Sequence, residues 1–119
     1  MVWEITGGGN PPPPPTSGSF SFSASNTNSA QQSTTNRDVS VTAGQVITVA
    51  TCGVTGASFT GDTYLRLFNG ATQAASNDDA CSGTGSSLSY TATATGTLQI
   101  RAGCYSSNTC SGTVVWSIQ

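Results

Sequence analysis

The chain has 119 residues with three arginines, no lysine, no histidine and five acids, for a formal net charge of −2. So few cations leave no basic stripe for a nucleic-acid backbone, and no apolar run approaches the length that crosses a bilayer. Without histidine or lysine the chain cannot assemble a Ser-His-Asp triad, a Ser-Lys dyad or a Schiff base, and zinc loses its commonest ligand.

In chain order, the first stretch is MVWEITGGGNPPPPPTSGSF. Residues 2–5 read as a short apolar strand, succeeded by glycines at 7–9 and prolines at 11–15. That punctuation holds the short strand away from the rest of the chain. Residues 1–18 are therefore expected to be the end of an upstream domain plus a Gly/Pro-rich linker, the prolines forming a semi-rigid spacer of ~15 Å at about 3.1 Å per residue. Met1 is followed by no basic segment and apolar h-region, which puts any export signal upstream in a longer parent. The remaining stretch, 19–119, is roughly a hundred residues, the size of one β-sandwich.

Beyond the prolines the apolar residues recur with period two. Phe20, Phe22 and Ala24 alternate with serines, and the polar run SNTNSAQQSTTNRD, residues 25–38, reads as a long loop. Alternation resumes at Val39, Val41 and Ala43, then at Ile47 and Val49, and at Leu65 and Leu67 in TYLRLF. It continues at Leu88, Tyr90 and Ala92, at Leu98, Ile100 and Ala102, and at Val114, Trp116 and Ile118. Such patterns are half-buried strands, and turn signals at 43–45, 68–72 and 94–97 separate them. No window has a helical period. Roughly six to eight short strands in a chain of this length predict an all-β, antiparallel β-sandwich of jelly-roll type, its two sheets packed through their apolar faces. Phe20, Phe22 and Trp116 are assigned to that core.

The cysteines, Cys52, Cys81, Cys104 and Cys110, contain no C-x-x-C pair. An even number in a Ser/Thr-rich chain reads as disulfides, and hence as a secreted, extracellular protein. Cys104 and Cys110 flank YSSNT between two strand-like runs, where a short bridge staples a hairpin loop, and Cys52–Cys81 is the remainder. By loop entropy the longer bridge contributes roughly 3–4 kcal/mol.

Two groups of residues carry possible chemistry. In ASNDDACSG, Asn77, Asp78 and Asp79 offer consecutive oxygen ligands and Asp62 approaches from a preceding strand edge, a set suited to calcium. The alternative is that Asn77 and Asp78 cap a turn through side-chain to backbone hydrogen bonds. As catalytic carboxylates Asp78 and Asp79 are poorly placed, because neighbours on an extended strand point to opposite faces. Sugar binding needs exposed aromatic faces with polar groups beside them. Tyr64, Arg66 and Phe68 share the face of TYLRLF opposite Leu65 and Leu67, and Tyr105 lies in the short cysteine-closed loop. For Tyr64 and Phe68, packing beneath a loop is the competing role; Tyr105 is the stronger candidate, because a closed loop presents it at low entropic cost.

The ordered motifs GDTYLRLF, ASNDD and GTLQIRAG, within residues 61–118, resemble the bacterial pre-peptidase C-terminal domain family. The resemblance implies a small jelly-roll sandwich behind the catalytic domain of a secreted protease or other hydrolase; some such domains bind calcium and some bind insoluble polymers. The opening MVWEITGG resembles the end of the last barrel strand in family 18 chitinases, where a Trp, here Trp3, floors the sugar subsite at the barrel face that carries catalysis. Together these imply a non-catalytic carbohydrate-binding accessory domain of a secreted polysaccharide hydrolase. It would be monomeric, covalently linked to an upstream catalytic domain, and chitin-binding. The alternative is a structural or secretion-assisting, calcium-binding domain of a secreted protease.

Overall fold

A computed structural model describes residues 15–119; the chitinase-like stretch with Trp3 lies outside the described residues. Nine strands succeed one another: β1 (Thr16–Ser25), β2 (Thr35–Val41), β3 (Val46–Ala50), β4 (Ser58–Thr60), β5 (Thr63–Asn69), β6 (Thr72–Asn77), β7 (Ser87–Thr91), β8 (Gly96–Cys104) and β9 (Thr109–Ile118). They form two antiparallel sheets. The first has the order β1-β9-β3-β7, with β4 continuing the line of β3 along β9; the second has the order β2-β8-β5-β6.

Period two in the sequence becomes an inside and an outside for each sheet. Leu65 and Leu67 of β5, Leu98, Ile100 and Ala102 of β8, and Val39 and Val41 of β2 point inward from the second sheet. They meet Phe22, Ile47, Val49, Leu88, Val114 and Ile118 of the first. No helix occurs among the described residues. The predicted sandwich is present, and so are both expected disulfides. Cys52–Cys81 ties the chain after β3 to the β6–β7 loop, and Cys104–Cys110 closes the β8–β9 turn.

The structure departs from expectation at particular residues, each for a local reason. Trp116 packs against the core but is only half-buried, because its β1 partner is Gly18 and the indole lies over that glycine. A Cβ at Gly18 would come within 2.6 Å of the ring. Ala43 is exposed in the β2–β3 turn instead of continuing β2. β1 begins at Thr16, inside the stretch read as linker, since Thr16 to Gly18 pair with the end of β9. The polar run after β1 is not all loop: β2 starts at Thr35, and Thr27 and Ala30 are fully buried. β4 has no apolar alternation, and β6 has only the small Ala74 and Ala75 facing the core, so neither announces itself as a strand.

Candidate metal centre and cationic groove

The acidic cluster is built by two turns that the ladders bring together. Gly61, with φ at 87°, turns the chain between β4 and β5 and leaves Asp62 at the head of β5. A Cβ there would sit 2.7 Å from the Thr109 carbonyl oxygen, so the position has room for glycine only. Asp78 and Asp79 come directly after β6, where the chain leaves the sheet for the β6–β7 loop. That loop is held by the Ala80–Gly85 bridge, by left-handed backbone at Cys81 and Ser82, and by the disulfide to Cys52.

Asp62, Asp78 and Asp79 place one carboxylate oxygen each within 4.8 Å of one another. Asp62 Oδ1 and Asp78 Oδ1 are buried and have no hydrogen-bond partner. Burial pushes the Asp78 carboxyl up to about 6, aided by the charges of Asp79 and Asp62. The Asp62 carboxyl is raised as well, first by burial and then by Asp79. Two orphaned carboxylate oxygens beside a third, exposed carboxylate are satisfied by protons or by a cation, and an all-oxygen donor set suits a hard divalent ion. Asn77 stands apart: its Oδ1 accepts the Ser87 N–H at 3.0 Å, the backbone-capping arrangement. The turn carries Asp78 and Asp79 off the strand, so the alternation of an extended chain does not separate them.

Beneath the cluster lies a buried hydroxyl network without an evident signal in the sequence. Thr51, Thr63 and Ser86 are fully buried, and Ser86 Oγ donates to the Asp78 carbonyl at 2.8 Å. Ser86 Oγ lies 2.8 Å from Thr63 Oγ1, while Thr51 Oγ1 accepts the Ser86 N–H at 2.8 Å. The network fixes the backbone under Asp78, so the carboxylates are held by rigid neighbours.

The second group of candidates lies on the outer face of the second sheet. Tyr64, Arg66 and Phe68 alternate with the buried Thr63, Leu65 and Leu67 of β5. Arg66 is directly paired with Arg101 of β8, and Phe68 with Gln99. The Arg66 guanidinium lies over the Tyr64 ring at 4.5 Å, and that of Arg101 over Phe68 at 3.7 Å. The aromatic faces offered to a sugar are thus already covered by cations. Tyr105 is separate from this face; it is 45% exposed in the Cys104–Cys110 loop, and its N–H donates to the Asp62 carbonyl.

Sequence reading missed Arg101, Gln99, Gln73 and Gln31, which share this face. Period two in TLQIRA does put Gln99 and Arg101 opposite Leu98 and Ile100, but only the β5–β8 register brings Arg101 beside Arg66. A bulge opposite Leu67 and Phe68 adds one residue to β6 at Ala74. Alternation from Ser76 would turn Gln73 inward; the extra residue returns it to the outer face beside Arg66.

The described residues form a disulfide-stapled antiparallel β-sandwich. The bacterial pre-peptidase C-terminal domain family matches residues 38–103, more than half of the chain, and the chain belongs to that family. The match makes it a non-catalytic accessory domain. No curated protein matches the chain significantly. Among solved structures it is similar to Aeromonas hydrophila PliG, a periplasmic lysozyme inhibitor of g-type lysozyme, at 18% identity and a TM-score of 0.55. The match covers 88% of this chain and 86% of that one, and at this identity it speaks for the fold.

Proposed function

We propose that this is a calcium-stabilised accessory domain of a secreted hydrolase, in which the ion holds the β4–β5 turn against the β6–β7 loop. The observation that carries this reading is the pair of buried, unpartnered oxygens on Asp62 and Asp78 beside Asp79. Asp62, Asp78 and Asp79 would hold the ion, which supplies positive charge where the chain has only negative charge and completes its shell with water. Calcium binding only the folded state raises stability by mass action, about 2.7 kcal/mol at a hundredfold excess over Kd. Thermal melting after chelation and calcium readdition tests this. An unchanged melting temperature would leave the cluster as a proton-bound turn and end the calcium reading.

A second reading is polysaccharide binding, with chitin as the polymer. It is favoured by the exposure of Tyr105 on a disulfide-closed loop, and by a surface rich in hydroxyl and amide groups. In this reading residues 1–18 are the end of an upstream chitinase-like domain and its linker. The domain then acts by effective concentration, keeping catalysis near an insoluble substrate without altering the chemistry. Pull-down with chitin, cellulose and collagen tests it. Tyr105→Ala should weaken retention on chitin by on the order of 1–2 kcal/mol. Retention on collagen alone would point to a protease as the parent.

A further inference from the structure

The paired arginines on the outer face of the second sheet have a feature that neither the fold nor the acidic cluster requires. Arg66 and Arg101 sit directly opposite each other on β5 and β8, an arrangement of like charges that weakens a sheet. Their hydrogen bonds go to neutral oxygens. Arg66 donates from Nε to the Ser29 carbonyl at 2.9 Å and from Nη1 to Gln73 Oε1, and Arg101 donates from Nε to Gln99 Oε1 at 2.7 Å. Nη2 of Arg66 and both terminal nitrogens of Arg101 are left without a protein acceptor among the described residues.

These groups line a real depression. A groove of about 300 Å³ is lined by Arg66, Arg101, Phe68, Gln31 and Gln73. A second, of about 370 Å³, continues past Arg101 along Gln99, Thr97 and Gly70 to Asp38, whose Oδ1 accepts from Gln99 Nε2. The wall beside Arg66 is strained. Asn28, Ser29 and Ala30 are consecutive residues with φ between 51° and 61°, a left-handed turn that L-residues adopt at a cost. That turn is what puts the Ser29 carbonyl on Arg66 and Gln31 in the groove. Strain of this kind is held where the surrounding structure over-determines it, and it clusters at ligand sites.

We propose that this groove binds the carboxylate groups of an acidic polysaccharide, a uronate chain, with Arg66 and Arg101 as the two carboxylate receptors. Arg101 keeps both terminal nitrogens for a two-point contact with a carboxylate and Arg66 adds its free Nη2, and stacking on Phe68 and Tyr64 fixes the two guanidinium planes in orientation before the ligand arrives. The amides of Gln31, Gln73 and Gln99 offer both donors and acceptors, the complement of ring hydroxyls. The groove runs across neighbouring strands and is open to solvent, which suits a chain better than an enclosed small molecule. The proposal rests on the polysaccharide reading and names its polymer class, and it places recognition away from Tyr105.

The test is affinity electrophoresis of the whole chain in gels containing polygalacturonate, with chelator present so that calcium cannot bridge the polymer to the acidic cluster. The temperature is kept below the melting transition, and circular dichroism confirms folding. The domain should be retarded, R101Q should weaken retention at least tenfold, and R66Q/R101Q should abolish it. Y105A should leave it unchanged, and fully methyl-esterified polymer should retain nothing. Equal retention of the wild type and R66Q/R101Q, or equal retention by charged and esterified polymer, overturns the proposal. So does binding to polyglutamate with no binding to polygalacturonate, which would make the ligand an acidic peptide. Retention on chitin alone overturns the uronate proposal and keeps the polysaccharide reading; no retention on any polymer ends both.

Discussion

Asp78 concentrates the chemistry of the cluster in one residue. Its carboxyl is pushed up to about 6, from 3.8, so the folded state holds the proton more tightly than the unfolded chain. The stability that comes with this proton is fully present below about pH 4 and is lost as pH rises through about 6. Without calcium, then, urea midpoints should fall between these limits. Asp78→Asn should reduce the dependence, leaving the part that comes from Asp62, and stabilise the calcium-free protein above pH 6 by on the order of 1 kcal/mol, after allowance for solvent screening. With calcium saturating, the same variant should be the less stable one. A pH series of denaturation curves with and without calcium checks both signs; an Asp78→Asn variant that is destabilised without calcium above pH 6, or that stays the more stable one with calcium saturating, contradicts the assignment. Gly103 is a second residue with a sharp expectation. A Cβ there would lie 2.9 Å from Thr27 Oγ1 and 3.0 Å from the Cα of Ala30. Thr27 is pinned in turn, its hydroxyl donating to the Cys104 carbonyl and accepting the Cys104 N–H, each at 2.9 Å. Gly103→Ala should cost about 1–3 kcal/mol by overpacking. A double-mutant cycle with Ala30→Gly should recover part of this, because the two positions share one contact; additive losses would show that the contact is not what limits packing.

At the scale of elements, the β6–β7 loop is tied twice, by Cys52–Cys81 and by the acidic cluster that precedes it. Asp79 lies two residues before Cys81, so the bridge holds the acidic residues near it as well as the fold. Replacing Cys52 and Cys81 by Ser should remove roughly 3–4 kcal/mol of stability, and it should weaken calcium binding measured by calorimetry. Replacing Cys104 and Cys110 by Ala opens a much shorter loop and should cost about 2 kcal/mol, with calcium affinity retained. If both pairs weaken calcium equally, the bridge acts through global stability and not through the loop. The β5–β8 pair is the other decisive element, because its register alone aligns Arg66 with Arg101 and Phe68 with Gln99.

At the scale of the whole molecule the sandwich separates its two candidate sites. The acidic cluster lies at the turn before β5 and the exit of β6, while the arginine groove occupies the outer face of the second sheet. A cation at the first site and an anionic polymer at the second would touch different side chains. Calcium should raise the melting temperature of R66Q/R101Q as much as it raises that of the wild type. A reduced shift in the double variant, read by differential scanning fluorimetry, would show that the sites are coupled.

The strands other than β4 and β6, and the disulfides, were legible in the sequence because they depend on local periodicity and on a small number of possible pairings. Leu65 and Leu67 face inward wherever β5 is placed, and Tyr64, Arg66 and Phe68 must then face outward. Asp78 and Asp79 were likewise marked by scarcity, since acids are few in this chain. Tertiary structure decided what those residues meet. The partnership of Arg66 with Arg101 spans thirty-five positions in the chain and exists only through strand register. The outward Gln73 depends on a bulge, the half-buried Trp116 on a facing glycine, and the approach of Asp62 to Asp78 on two turns. Each is set by long-range pairing, which period-two alternation does not encode, because alternation specifies which face a side chain takes and not which neighbour shares it.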